Sequence, residues 1–259
     1  GKINIHSNSD AVQADGILTI LGGDFDIQTM DGYTTAGFNS ASSSAKGMKS
    51  DGPIVISGGD FCLNTIDDAI HSDDTILITG GSFSINTKND GIHADNYLLL
   101  GDLNGLERNP MITINYCYEG MDSARIAIFS GKYSINANDD GINAANKKLK
   151  TDNKVNTENH SISIYGGDFY IVAGADGLDS NGTLDILGGE IEIWAATSGA
   201  ENPLDYETTM TLRNARVFAA GSYGMGWAKP SGNSQLYKNY HAKIQAGKQV
   251  FVRDGERIL

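Results

Sequence analysis

Short runs of alternating apolar and polar residues recur along this chain at a fixed interval. Residues 54–56 (Ile-Val-Ile) and 76–78 (Ile-Leu-Ile) are each followed, after one polar residue, by a Gly-Gly pair. Gly58 and Gly80 lie 22 residues apart, and an acidic turn further along the two repeats has the same spacing. Such a period is typical of a protein built from stacked copies of one structural unit.

Each repeat contains three short segments with one apolar face, the pattern of β-strands that are buried on one side. The Gly-Gly pair stands where the chain must turn, because glycine adopts positive φ without a Cβ clash. One repeat cannot bury its own apolar face, so successive repeats must stack in register. In the repeat that begins at residue 76, the residues predicted to point inward are Ile76, Ile78, Phe83, Ile85, Ile92 and Ala94.

The predicted fold class is therefore all-β, a right-handed parallel β-helix with coils of about 22 residues. Parallel strands lie ~4.8 Å apart, so eight to nine coils make a rod on the order of 40 Å long. We expect residues 1–226 to form the parallel β-helix. Residues 227–259 are expected to form a C-terminal cap or the start of a further β segment.

Polar residues recur at two positions beside the Asp-Gly turn of each repeat, and stacking should align them in two columns. The first column reads Asp10, Lys46, Asp68, Asp90, Glu119, Asp140, Asp176 and Glu201. The second column, three or four residues further along each repeat, reads Gln13, Lys49, His71, His93, Asp122, Asn143, Asp179 and Asp205. Because Ile92 and Ala94 are predicted to point inward, the side chain of His93 and its equivalents should point outward.

Stacked carboxylates repel by about 0.9 kcal/mol per pair even in water, so something should offset the clash. Calcium takes six to eight oxygen ligands, which carboxylates and Asn side chains supply. Ordinary turn chemistry is the alternative, since Asp side chains in turns often bond their own backbone without any ion. The predicted metal ligands are Asp68, Asp90, Glu119, Asp122, Asp139, Asp140, Asn143, Asp176 and Asp179, with a second oxygen cluster at Asp67, Asp68, Asn89 and Asp90.

His71 and His93 are predicted to be stacked neighbours in the second column. Two histidines could bind zinc, but no cysteine is expected nearby. The sequence favours a plain ladder of surface histidines.

The composition limits the kinds of partner that this protein is expected to bind. The 259 residues include 19 Lys and Arg against 32 Asp and Glu, a formal charge of −13. Such a protein should not bind nucleic acid, because it would repel the phosphates, and its natural first partners are cations. No apolar run approaches the roughly 18 residues of a membrane span. The 2 cysteines, Cys62 and Cys117, are expected to be free thiols.

Sugar rings bind to flat apolar surfaces flanked by polar groups. Ile191 and Ile193 should face inward, which places Trp194 outside, and Tyr170 is outward by the same alternation. Trp227 follows a glycine-rich segment and is a third candidate. These three aromatic residues are the predicted carbohydrate contacts.

The Gly-Gly-x-Phe-x-Ile and Asp-Gly-Ile-x-Ala-Asp patterns, with residues 217–225, resemble the bacterial polysaccharide-lyase-like, carbohydrate-binding β-helix proteins. The resemblance covers about residues 10–226. It implies a secreted or surface-attached protein that holds Ca²⁺ and binds plant polysaccharide such as cellulose or pectin. The calcium positions it implies are the turns at Asp90, Asp140 and Asp176, with Asp68 in the matching Asp-Ala turn. Lys46 departs from the pattern.

Three functions remain open at this stage. The first is a calcium-dependent carbohydrate-binding protein. The second is a pectate-lyase-type enzyme, in which calcium acidifies a proton and a Lys or Arg abstracts it; a hydrolase with two acidic residues is a variant. The third is a structural or adhesive rod. An enzyme needs a cation or an acid with a raised pKa beside the columns. The cations that residues 60–145 offer are Lys88, Arg108, Arg125 and Lys132, none at a recurring outward position.

Overall fold

The computed structural model describes residues 1–34, 44–102, 109–145, 159–222, 224 and 229–231, and the backbone of 253–254 and 257–258. In this part of the chain the protein is all-β with almost no helix. Parallel strands in two sheets make up nearly all of its regular secondary structure. No helix among the described residues combines the length and the apolar character needed to cross a membrane.

The first sheet has nine parallel strands, and each strand pairs with the equivalent strand of the next repeat. Its strands in order are β1 (Lys2–Ser7), β4 (Asp24–Thr29), β7 (Asp60–Thr65), β10 (Ser82–Thr87), β12 (Met111–Cys117), β14 (Lys132–Ala137), β17 (Asp168–Ala173), β20 (Gly189–Trp194) and β23 (Ala215–Ala220).

The second sheet has fourteen parallel strands arranged in two rows. One row contains β2 (Val12–Ala14), β5 (Met48–Ser50), β8 (Ile70–Ser72), β11 (Ile92–Leu100), β13 (Met121–Ile128), β15 (Ile142–Ala144), β18 (Leu178–Ser180) and β21 (Leu204–Tyr206). The other row contains β3 (Leu18–Ile20), β6 (Ile54–Ile56), β9 (Thr75–Ile78), β16 (Ser161–Ile164), β19 (Thr183–Ile186) and β22 (Thr209–Leu212). Two short strands, β24 (Arg253–Asp254) and β25 (Arg257–Ile258), form an antiparallel pair.

The two rows join because β11 and β13 each run through both of them. Strand β11 pairs with β8 through its first residues and with β9 through its last. The prediction of three separate segments in every repeat therefore fails at β11 and β13. In these two repeats the third segment continues, through a register irregularity after Ala94, into the first segment of the next repeat.

The predicted inward residues form the core. Ile76, Ile78, Ile85, Ile92 and Ala94 are fully buried, and Phe83 is nearly so. The ring of Phe83 stacks on that of Phe61 with centroids 4.4 Å apart, and Phe61 stacks in turn on Phe25 at 4.9 Å. Each repeat thus covers the apolar side of its neighbour, as the sequence pattern predicts.

The second glycine of the Gly-Gly pair makes the corner. Gly81 has φ of 107°, and a Cβ there would lie 3.0 Å from the carbonyl oxygen of Gly59. The positive φ and the close approach of the preceding repeat both require a glycine at this position.

Both cysteines are free, as predicted. Cys62 is exposed on the outer side of the nine-stranded sheet, whereas Cys117 is buried. Burial raises the pKa of the Cys117 thiol far above its ordinary value. The predicted boundary at residue 226 stays a prediction, because most of 225–259 lies outside the described residues.

Candidate functional site

The second column is one continuous line of side chains on the fourteen-stranded sheet. Strand register pairs each member with the next, in the order Gln13, Lys49, His71, His93, Asp122, Asn143, Asp179 and Asp205. Spacing in the sequence thus predicted the neighbours correctly.

The first column lies in the turns that lead into these strands. Gly91 N–H bonds the carbonyl of Glu119 at 2.9 Å, and Gly141 N–H bonds that of Asp176 at 2.9 Å. Equivalent bonds align the column as predicted with one exception. Gly177 N–H bonds the carbonyl of Asn202, so Asn202 and not Glu201 is the last member.

Carboxylates of the first column bond to the backbone of the next repeat. The Asp140 Oδ1 accepts the N–H of Asp176 at 2.9 Å, and the Asp68 Oδ1 accepts that of Asp90 at 3.2 Å. Asp176 in turn accepts the N–H of Asn202. Asp68 is 2% and Asp176 is 6% exposed. Stacking of the following repeat therefore covers Asp68 and Asp176.

Lys46 and His71 contact the carboxylates in the N-terminal half of the columns. Lys46 Nζ lies 2.8 Å from Asp67 and 2.9 Å from Asp68. His71 Nδ1 lies 2.7 Å from Asp68 as well. Burial pushes the pKa of Asp68 upward, but the His71 hydrogen bond and the Lys46 charge outweigh it and hold that pKa well below its usual range. Asn89 Nδ2 donates to Asp68 at 2.5 Å, so the second predicted oxygen cluster is cross-linked internally.

His93 is the next cation along the column. Its Nδ1 lies 3.0 Å from Asp122 Oδ2 and 3.5 Å from Asp90 Oδ2, and its Nε2 lies 3.3 Å from Asp95. Burial lowers the pKa of His93, but hydrogen bonds to the three carboxylates raise it to about 12. The His71 and His93 rings stack with centroids 4.8 Å apart. They form a stacked pair as predicted, and both rings also contact carboxylates.

The C-terminal half of the columns differs in charge. Among the described residues, no Lys, Arg or His forms an ion pair with Glu119, Asp139, Asp140, Asp176, Asp179 or Asp205. Burial and the neighbouring carboxylates raise the pKa of Glu119 and of Asp179 to about 8. Burial also raises the pKa of Asp176 to about 7 and that of Asp140 to about 6. These carboxylates lack the positive charge that the N-terminal half contains.

Two groups of oxygens in this half could hold a cation. Glu119, Asp139 and Asp140 each offer one oxygen, and these oxygens all lie within 4.8 Å of one another. Asp176, Asp179 and Asp205 offer a second such set. Five of the predicted ligands therefore fall into these two groups, and Asp205, which was predicted only as a member of the second column, joins the second group.

Asn143 supplies an independent observation. It is 7% exposed, and its Nδ2 donates to Glu119 Oε2 at 3.1 Å. Its Oδ1 is buried without a hydrogen-bond partner among the described residues, as is Oδ1 of Asp122. An unsatisfied buried oxygen costs about 1–3 kcal/mol. A hard cation that takes carboxylate and amide oxygens, such as calcium, fits this donor set.

The predicted cations for an enzyme are not in the columns. Arg125 donates to the hydroxyl of Tyr97 at 3.0 Å and to Asn159 at 2.7 Å, so its guanidinium is engaged. Lys132 begins β14 in the other sheet, and Lys88 follows β10. Arg108 lies outside the described residues.

The predicted aromatic contacts lie on the outer face of the nine-stranded sheet. Tyr170 is 47% and Trp194 is 36% exposed. Trp194 Nε1 donates to Glu192 at 2.7 Å, and its ring contacts Phe218 with centroids 5.2 Å apart. Register places Glu192 directly between Tyr170 and Phe218. We call these four residues the aromatic patch. The alternation of inward and outward residues predicted the two exposed rings, whereas Phe218 and Glu192 can be assigned to the patch only from the strand register.

Trp227 lies outside the described residues, as do Lys147, Lys148, Lys150 and Lys154 of the predicted basic insertion.

The aromatic patch combines exposed rings with an oriented carboxylate, an apolar surface with a polar group beside it. A sequence model of the family described as carbohydrate-binding domain-containing protein matches residues 1–98 and 112–257, so this chain belongs to that family. No curated protein and no solved structure matches the chain.

Proposed function

We propose that this protein is an extracellular, bacterial carbohydrate-binding protein that holds calcium and binds plant cell-wall polysaccharide. The observation that carries the proposal is the Asn143 Oδ1, buried without a partner beside carboxylates that no described cation neutralises. Membership of a carbohydrate-binding family supplies the general class of partner.

Calcium would give this surface its attraction for an acidic glycan. With a formal charge of −13, the bare chain repels polygalacturonate. A calcium ion held by Glu119, Asp139 and Asp140, or by Asp176, Asp179 and Asp205, would offset most of the local negative charge and present a cationic centre to the glycan. Because calcium takes six to eight ligands, three carboxylates leave positions for uronate oxygens.

The aromatic patch would bind neutral glucan such as cellulose. Tyr170 and Trp194 present flat rings, and Glu192 accepts a bond from Trp194 while keeping lone pairs for sugar hydroxyls. The patch lies on the nine-stranded sheet and the columns on the other, so the two kinds of glycan would meet different sheets.

We further propose that both sheets belong to one right-handed parallel β-helix, similar to the polysaccharide-lyase-like proteins. Register between equivalent strands of successive repeats supports this, since such pairing is what stacked coils require. A crystal structure with another hand or connectivity would contradict it.

Polygalacturonate pull-down with calcium or with excess chelator tests the function. We expect retention with calcium only. The variant Asp179→Asn with Asp205→Asn should lose about tenfold or more in affinity, since it removes charge while keeping side-chain size. Asp185→Asn on β19 is the matched control, because Asp185 also points outward from this sheet, in the other row. Full affinity of the double variant would overturn the calcium bridge.

The same incubation should be followed by absorbance of unsaturated uronate. An increase that requires calcium would replace the binding function with a pectate-lyase activity. We expect none.

A further inference from the structure

The nine-stranded sheet carries another exposed ring on its outer face, outside the aromatic patch. Tyr116 in β12 is 40% exposed, and its ring contacts that of Tyr33 with centroids 5.2 Å apart. The backbone N–H of Tyr33 donates to Asn64 Oδ1 at 3.1 Å, which fixes Tyr33 over the sheet. Tyr116 is therefore supported on one side by a ring from a different repeat.

A β-bulge gives Tyr116 its outward direction. Between Ile114 and Cys117 the register of β12 against β14 shifts by one residue. Asn115 and Tyr116 therefore stand opposite the single residue Asn136. Both are exposed, whereas strict alternation would bury one of the two. Bulges re-aim side chains in this way and are over-represented next to functional sites.

Register places Tyr116 in one row with Trp194 of the aromatic patch. Asn136, opposite Tyr116, pairs with Val172, and Val172 pairs with Trp194. Three strand spacings of ~4.8 Å separate the two ends of this row, about 14 Å in all. A β-1,4-linked glucose advances an extended chain by nearly one strand spacing, so about four sugars would cover the row.

The surface around this row is nearly uncharged, although the protein as a whole is acidic. Charge on this part of the sheet is concentrated in a separate register row with Lys132, Asp168, Glu190 and Arg216. Beyond it, Glu192 is the one charged residue among the outward positions of β12, β14, β17, β20 and β23. Such a surface suits a neutral glycan and offers an acidic one no attraction. The outward positions are Thr113, Asn115, Tyr116, Ser134, Asn136, Tyr170, Val172, Glu192, Trp194, Phe218 and Ala220.

We propose that Tyr116 and Trp194 contact the two ends of one neutral β-glucan segment, which runs across the strands on the outer face of the nine-stranded sheet. This inference rests on the proposed neutral-glucan binding and specifies the direction and minimum length of the bound chain. Between the two rings, Asn136 Nδ2 donates to the carbonyl of Asn115 at 3.0 Å, which orients the Asn136 amide. An oriented amide offers hydrogen bonds to sugar hydroxyls.

The dependence of affinity on oligosaccharide length tests the inference. Isothermal titration calorimetry compares cellotriose, which reaches one end of the row, with cellohexaose, which reaches both. The parent should bind cellohexaose about tenfold or more tightly than cellotriose, because the second contact is intramolecular. Tyr116→Ala and Trp194→Ala should each lose this preference, and Tyr116→Phe should keep it because the ring remains.

Tyr97→Ala is the matched control. Tyr97 is 41% exposed and also contacts a neighbouring side chain, that of Arg125, but it lies in β11 of the other sheet. Its removal should leave the length preference unchanged. If Tyr116→Ala does not fold, Asn136→Arg decides, since a large side chain at this exposed position obstructs the path between the two ends and should abolish the preference.

The failures are distinguishable. A parent that binds both oligosaccharides with equal affinity overturns the continuous row and leaves neutral-glucan binding intact. A folded Tyr116→Ala variant that keeps the preference for cellohexaose overturns the role of Tyr116, as does an equal loss in Tyr97→Ala. A parent that binds neither oligosaccharide overturns the proposed neutral-glucan binding and this inference together, whereas calcium-dependent binding of polygalacturonate is tested separately.

Discussion

The side chain of Asp140 accepts a hydrogen bond from the backbone N–H of Asp176 at 2.9 Å, and Asp176 occupies the same position one repeat further on. The Asp140 carboxylate, which repels that of Asp176, therefore also fixes the main chain of Asp176 through this hydrogen bond. Asp140→Ala removes the acceptor and leaves a buried N–H without a partner. We expect a loss of about 1–3 kcal/mol in the free energy of unfolding.

Urea unfolding in chelator measures this loss without a contribution from metal. Asp140→Asn keeps an oxygen acceptor and should lose less, and Asp185→Ala is the control for an outward Asp of the same sheet. Equal stability of Asp140→Ala and the parent would contradict the role of the bond. The combined Asp140→Ala and Asp176→Ala change is expected to damage the fold as well as any ion site.

Chelation should loosen one part of the chain selectively. Calcium that binds only the folded state at a hundred times its Kd adds about 2.7 kcal/mol per site. Hydrogen exchange with and without chelator should therefore accelerate around β15, β18 and β21, whereas β5 and β8 keep their protection, because Lys46 and His71 remain. Equal acceleration of hydrogen exchange in all five strands would contradict the division of the columns into a part that depends on calcium and a part that does not.

The metal-free protein should lose stability as the pH rises from about 4 to about 8. Glu119 and Asp179 have pKa values raised from 4.5 and 3.8 to about 8, so in this interval the folded state binds more protons than the unfolded state. His93, raised from 6.5 to about 12, adds to the decline above pH 6.5. Asp68, whose pKa is lowered, loses its contribution only below 3.8, outside the interval.

Urea midpoints at about pH 5 and about pH 8, in chelator and in saturating calcium, check this sign. In chelator the midpoint should be higher at the lower pH. Calcium should reduce or reverse the difference, because it binds the ionised carboxylates. A chelated protein that is more stable at the higher pH would refute the prediction.

Trp194→Ala should weaken neutral-glucan binding without affecting calcium-dependent polygalacturonate binding. The lost ring contact corresponds to roughly 1–2 kcal/mol, a factor of about 5–30 in affinity. Affinity electrophoresis in soluble β-glucan measures it. Tyr165→Ala is the control, because Tyr165 is similarly exposed but stacks on Phe129 away from the patch. Equal losses in both variants would argue against a specific patch.

Much of the column arrangement could be predicted from spacing, because parallel stacking converts a constant interval into spatial adjacency. His71 and His93 are neighbours for this reason although 22 residues separate them. The error at Glu201 has a specific cause. The interval from Asp179 to Asp205 is 26 residues, so the extra residues shift the turn, and the neutral Asn202 gave no charge to follow.

The fixed cations could not be found from spacing. Lys46 looked like a departure from the acidic pattern, yet its long side chain reaches the carboxylates of the next repeat. Side-chain reach and direction depend on the three-dimensional turn. The same limit applies to Phe218, whose contact with Trp194 crosses two strands that only the register places side by side.

The two thiols differ in a way that has a practical consequence. Cys62 is exposed and Cys117 is buried with a raised pKa, so a thiol reagent applied to the folded chain should modify one position only. Cys62 lies on the outer side of the nine-stranded sheet, between Asp26 and Ser84 in the register. A fluorophore attached there would report glycan arriving on that sheet, while the carboxylates of the other sheet remain chemically untouched.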